Sequence, residues 1–223
     1  MLANILVKNF EAGGPIMWPI LITAIVAVAV VGERTFWWWR ESRKRDPETL
    51  EKVLAALENG DFRQASQAAK DTDDPVLRMI WHGLNHAHSS LQGALQVAAG
   101  VELQKAGRFL TVMDTLVTLA PLLGLLGTVS GIFRTFLSIG SATVEGATGQ
   151  ITGGIGEALI ATMCGLAIAI FALIPFNYFG RKLAQLQFEM ESAATNVEIM
   201  IQAAKQKGYD TAQELRREPA ARS

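Results

Sequence analysis

The 223-residue sequence holds a single cysteine, Cys164. One thiol excludes an intramolecular disulfide framework and any cysteine-rich metal site. Its apolar neighbours make it read as a small core residue. Histidine is scarce too: His82, His86 and His88. Positions 82 and 86 share a helical face, but no cysteine or nearby carboxylate completes a ligand set, so a solvated face is the better reading and no metal is expected. Neither sign of charge dominates, the formal net charge being −1, which gives no argument for nucleic acid. There is no nucleotide-binding glycine loop, no CxxC and no HExxH. The apolar runs carry no nucleophile–base pair, so neither an intramembrane enzyme nor a cofactor is expected. Two further absences matter later. Residues 137–156 contain no Lys or Arg, and no carboxylate lies midway along an apolar run, since Asp114 and Glu157 fall at the ends.

What is present is hydrophobic: half of the residues. Three apolar runs, residues 15–32, 115–133 and 158–178, are long enough to cross a bilayer; the second, without a charge, makes about 28 Å of helix. The first run contains an Ala27-Val28-Ala29 triplet like a signal-peptide cleavage site. Yet it is long, only Lys8 precedes it, and a Trp-rich basic stretch follows, so it reads as a retained span. Arg34, Arg40, Arg43, Lys44 and Arg45 follow the first span, Lys105 and Arg108 precede the second, and Arg181 and Lys182 follow the third. The positive-inside rule then places the N-terminus outside, residues of about 40–110 inside, the short loop outside and the tail inside. Trp37, Trp38 and Trp39 suit an aromatic belt at the inner interface.

The expected organisation is an all-α integral membrane protein with three transmembrane helices, two of them continuing as long cytoplasmic helices. Residues 1–14 form an N-terminal interfacial helix, with Leu2, Ile5, Leu6 and Phe10 on one face. Residues 15–36 are the first span, 37–110 a cytoplasmic helical segment, 111–136 the second span and 137–156 a short loop. Residues 157–179 are the third span, 180–207 a cytoplasmic helix and 208–223 a disordered tail. Within the cytoplasmic segment, Asp46-Pro47-Glu48 signals a helix start and Asn59-Gly60 a stop. Asp61 can cap a second short helix to Lys70, and Asp73-Asp74-Pro75 opens a third. No strong breaker follows, although Gly83, Gly93, Gly100 and Gly107 weaken the pattern, so one long helix is expected from Pro75 into the second span. Leu183, Leu186, Met190, Ala193, Val197, Met200 and Ala204 keep a heptad register, which implies helix packing.

Two spans carry polar or small faces. In the second, Asp114, Pro121, Thr128 and Thr135 recur every seven residues, and Gly127 and Gly131 form a GxxxG spacing that lets backbones approach. In the third, Ala158, Thr162, Gly165, Ala169 and Ala172 make a stripe of small residues with Thr162 as its polar point. Glu157 has two readings left open by spacing: an acid in a first helical turn, or a cation-attracting group at the mouth of a pathway. Glu33 and Arg34 close the first span, where an interface pair with Arg34 snorkelling is favoured. Arg134 is expected to reach the interface or an acid in the loop such as Glu145.

Residues 120–132 (APLLGLLGTVSGI) and 156–166 (GEALIATMCGL) together resemble the second- and third-span motifs of the MotA/TolQ/ExbB proton channel family. The three-span, N-out layout is similar to its ExbB and TolQ branch. The resemblance implies a homopentamer whose central pore, between second and third spans, holds a dimer of a single-span ExbD/TolR-like partner that carries the membrane aspartate. It further implies a TonB- or TolA-like periplasmic transducer and a bacterial inner membrane with the N-terminus periplasmic and the C-terminus cytoplasmic. By position, Thr128, Thr162 and Glu157 match the family's proton-pathway residues, while Pro121, Gly124, Gly127, Gly131 and Gly165 shape packing and pore. An ExbB-like role in outer-membrane transport is expected ahead of a TolQ-like envelope role. Two departures stand out: Phe171 occupies the place where the third-span motif usually has proline, with Pro175 one turn later, and Arg134 is foreign to the pattern.

Overall fold

The computed structural model describes residues 10, 13–86, 90–139 and 144–206, with the side chains of 138, 139 and 144–150 excepted. Most of the expected N-terminal helix, His88, the side chain of Glu145 and the tail lie outside the described residues. Seven helices are described: α1 (Met17–Ser42), α2 (Pro47–Glu58), α3 (Phe62–Ala69), α4 (Pro75–Asn85), α5 (Leu91–Ala106), α6 (Leu110–Ile139) and α7 (Val144–Gln206). Three of them, α1, α6 and α7, contain stretches long and apolar enough to cross a membrane. The chain divides into two compact units. One comprises the residues up to Thr35 with Phe109–Phe179, the other Phe36–Arg108 with the residues from Gly180.

In the second unit the helix starts follow local chemistry. The Asp46 carboxylate accepts from Thr49 N–H at 3.0 Å and Pro47 opens α2, where its missing N–H costs nothing. Asp61 caps α3 through Gln64 N–H, and Asp74 caps α4 through Val76 N–H at 2.8 Å. Consecutive helices pack on one another from α2 to α5. Their buried faces form one core around Val53, Leu57, Leu77, Met79, Ile80 and Leu95. Leu186, Met190, Ala193, Val197 and Ala204 of α7 join that core, with Leu183 and Met200 partly buried beside it, which is the heptad stripe expected. Each fully buried Leu or Ile contributes on the order of 1.5–3 kcal/mol.

A single helix from Pro75 into the second span does not form. His86 ends α4, its N–H bonding the His82 carbonyl, and Ser90 begins α5 by accepting from Gly93 N–H at 3.2 Å. A second break follows Ala106, where Gly107 N–H bonds the Leu103 carbonyl. Phe109 then takes φ +64°, a left-handed conformation that a helix cannot pass through. The span helix α6 therefore starts afresh at Leu110.

The second unit also buries charge. Arg78 bridges Glu102 of α5 at 2.6 Å and Glu41 of α1 at 3.3 Å. Lys105 and Lys44 pair with the same two carboxylates at 2.8 and 3.0 Å. Burial pushes the Glu102 carboxyl upward, but hydrogen bonds from Arg78 and Lys105 outweigh it and hold the group below the usual glutamate value. Arg78 opposes its own burial in the same way and is held above the ordinary guanidinium value.

Candidate functional site: the seam between α6 and α7

The first unit is built on close backbone approach. A Cβ added at Gly165 would lie 2.5 Å from the Ala120 carbonyl oxygen, and one at Gly124 would lie 3.0 Å from Thr162 Cα. At Gly127 it would meet Ala161 Cβ at 2.5 Å and Ile16 at 2.9 Å. At Gly131 it would meet Ala158 Cβ at 3.0 Å, and at Gly154 it would strike the Thr135 hydroxyl. These pairs ascend α6 while descending α7, so the two helices run antiparallel with a register fixed by small residues. Between spans no hydrophobic force distinguishes neighbour from lipid, so close packing and interhelical hydrogen bonds hold the seam. The start of α1 packs here as well: Met17 and Ile20 are buried with Ala161, beside Ile16, Leu123 and Cys164. All four expected packing glycines, Gly124, Gly127, Gly131 and Gly165, thus lie on one seam. Pro121 lies inside α6, half-buried, where its lack of an N–H deprives the Val117 carbonyl of its usual donor.

The threonines occupy different positions. Thr162 Oγ1 donates across the seam to the Gly124 carbonyl at 2.9 Å. Glycine there leaves the oxygen open to a hydroxyl from the facing helix. Thr128 Oγ1 donates instead to Leu125 of its own helix at 2.7 Å, so the two hydroxyls are not joined to each other. Each hydroxyl retains acceptor capacity.

Glu157 has neither a first-turn position nor a loop neighbour. The helix α7 begins at Val144, so Glu157 sits about three and a half turns in, beyond the reach of the helix terminus. Its carboxylate pairs with Arg134 of α6. The expected route of Arg134 to the interface or to Glu145 is replaced by this pair because the seam, closed at Gly131–Ala158 and Thr135–Gly154, brings positions 134 and 157 opposite each other. The backbone of Gly14 lies against the same carboxylate: φ is +71° there, and a Cβ would occupy the place of Glu157 Oε1. Sequence reasoning missed this group because residues 144–156, rich in glycine, read as loop.

Arg34 makes the expected pair with Glu33 but departs from expectation in its burial. Its side chain is 1 % exposed, whereas Glu33 is 43 % exposed. Arg34 does not snorkel. The Glu33 carboxylate, 2.5 and 2.7 Å from its Nε and Nη2, and the Phe109 ring, 5.6 Å from Cζ, receive it within the protein. Phe171 is exposed on α7, and Pro175 lies inside that helix. His82 and His86 are exposed, with His86 Nδ1 3.0 Å from the His82 carbonyl oxygen.

An all-helical membrane protein is defined by three apolar helices, a seam of glycine and alanine between two of them, and hydroxyl and charged groups set into that seam. The chain belongs to the MotA/TolQ/ExbB proton channel family, matched over residues 69–192, which include both span motifs. It is similar to two Synechocystis sp. proteins. The biopolymer transport protein ExbB-like 3 is 35% identical over 80% of this chain and 86% of its own. ExbB-like 1 is 36% identical over 77% of this chain and 69% of its own. The biopolymer transport protein ExbB of Xanthomonas campestris pv. campestris is 41% identical over 40% of this chain and 34% of its own. The family is one of transport and channel subunits, not an enzyme class.

Proposed function

We propose that the chain is the ExbB-like proton-channel subunit of a proton-motive-force-driven motor in a bacterial inner membrane. Five copies surround a dimer of an ExbD/TolR-like single-span partner, and a TonB-like transducer carries the work to outer-membrane transport. The N-terminus is periplasmic and the C-terminus cytoplasmic, as the Lys and Arg distribution favours. The observation that carries the reading is the Thr162 hydroxyl set on the seam against Gly124, in a family of proton channels. A proton relay through hydrocarbon needs an ionisable group, since charge is costly there and marks the route. The spans hold no carboxylate midway, so the partner's aspartate supplies it, and the Thr128 and Thr162 hydroxyls solvate it without trapping it. A proton crossing the whole potential releases about 2.3 kcal/mol per 100 mV, which drives rotation of the partner.

Thr162→Ala, reconstituted with the partner in liposomes, is expected to cut proton flux and energised transport. Unchanged flux would sink the pore-lining role. One observation favours a second reading, a membrane scaffold that conducts nothing: both threonine hydroxyls are engaged by main-chain carbonyls, as packing alone would require. Wild-type complex without flux would select that reading. A TolQ-type envelope-maintenance motor shares these motifs, and which outer-membrane process fails in a deletion strain separates it from the ExbB type.

A further inference from the structure

We infer that Arg134 is a positioning residue that clamps the Glu157 carboxylate at the outer end of the seam, and that release of this clamp gates access to the pathway. The inference rests on the channel reading above. Three elements build the clamp. Arg134 comes from α6, Glu157 from α7, and the third wall is the Gly14 backbone just before α1. Sliding of one helix along the other is blocked on both sides of the pair, by Gly131 against Ala158 and by Thr135 against Gly154. Thr135 is itself buried and held, its hydroxyl donating to the Gly131 carbonyl at 2.8 Å. The two charges therefore face each other because the backbones leave no alternative register. Gly14 closes the enclosure. Only a residue without a Cβ leaves room for the carboxylate, and φ +71° suits glycine there.

The electrostatic consequence follows. Closed, the pair presents no net charge at the mouth, and Glu157 exerts little pull on an approaching cation. Open, it presents a fixed carboxylate where charge is scarce: residues 137–156 carry no Lys or Arg, and Glu145 is their one acid. Within the protomer the pair is not sealed, Arg134 being 42 % and Glu157 25 % exposed, so no side chain of the chain itself locks it shut and it can exchange between states. Arg134 thus decides whether Glu157 acts as a cation attractor at all.

The test compares full-length chains in nanodiscs, for melting, and with the partner in liposomes, for proton flux. Arg134→Gln frees the carboxylate and is expected to raise flux several-fold. Glu157→Gln leaves an unpaired guanidinium and is expected to lower it. Both singles should melt several degrees below wild type, and the swap Arg134→Glu/Glu157→Arg should restore both melting and low basal flux. A merely structural pair would shift melting without splitting flux by sign, and that outcome overturns the gating role. Melting losses that add in the swap rather than cancel would overturn the clamp itself. A wild-type complex with no flux would overturn the channel reading, and the melting arm would still decide the clamp. Gly14→Ala should resemble Arg134→Gln in flux, and wild-type flux in a folded Gly14→Ala chain would remove Gly14 from the clamp.

Discussion

The two units of the chain hold together by opposite means. In the unit of α2 to α5 with the end of α7, large side chains fill a core, and the charges that enter it are paired, as in the cluster of Arg78, Glu102 and Glu41. In the unit of the spans, the helices meet through atoms of glycine, alanine and threonine, while large apolar residues such as Leu122, Val129 and Phe133 face outward at 60 %, 59 % and 63 % exposure. The difference is one of solvent. Water drives Leu77 and Ile80 inward. A lipid tail is as good a neighbour for Leu122 as another leucine, so close contact must come from backbone approach. The rule is not absolute, since Gly83 of α4 admits the Leu95 side chain of α5.

The comparison predicts where truncation hurts. Leu77→Ala removes a fully buried side chain and should cost about 2–5 kcal/mol. Hydrogen exchange on the intact chain should show lost protection in α2 to α5, with the amides of α6 unchanged. Comparable deprotection of the spans would break the distinction between the units.

Adding a methyl group sharpens it from the other side. Gly165→Ala places a Cβ 2.5 Å from the Ala120 carbonyl oxygen, and relieving that contact should cost about 1–3 kcal/mol despite the better helix propensity of alanine. Gly100→Ala, on an exposed turn of α5 with nothing within 4 Å, should instead stabilise by about 1 kcal/mol. Melting of the two variants in one detergent checks the sign of each.

How far the sequence foretold this depends on how local the cause is. The caps at Asp46, Asp61 and Asp74 were readable because a carboxylate and a few N–H groups, joined at Asp46 and Asp74 by a proline, decide them within four residues. The heptad stripe from Leu183 was readable because burial imposes its period. The glycines of the seam could be named from spacing, but their partners could not, since Gly165 meeting Ala120 depends on the register of two distant helices. The break before α6 was marked only by Gly107, and the left-handed conformation of Phe109 gave no warning, since the usual glycine is absent there. Arg34 misled for a related reason. Its place at a span end suggests solvent, whereas its burial, with the Phe109 ring beside it, shows a protein environment.

The smallest expected effect concerns the buried charges, and its sign follows from the direction of the shift. Glu102 is held below its ordinary value of 4.5 because the folded carboxylate gains Arg78 and Lys105 beyond what burial costs it. A depressed folded pKa contributes stability that is fully present above the unfolded value and is lost as pH falls through the folded one. From neutrality down to about 4.5 the contribution of Glu102 should therefore hold, and below that it should fade. Exchange of the α4 and α5 amides should accelerate in that acid window, while the seam, packed by uncharged contacts at Gly124, Gly127 and Gly165, should respond less. Glu102→Gln should flatten this part of the acid response. If α4 and α5 loosen equally in wild type and variant, the acid sensitivity lies with Glu41 or Asp74, the other buried carboxylates of the unit, and the contrast between a core with buried charges and a seam packed mainly by small uncharged residues still stands with a different residue at its centre.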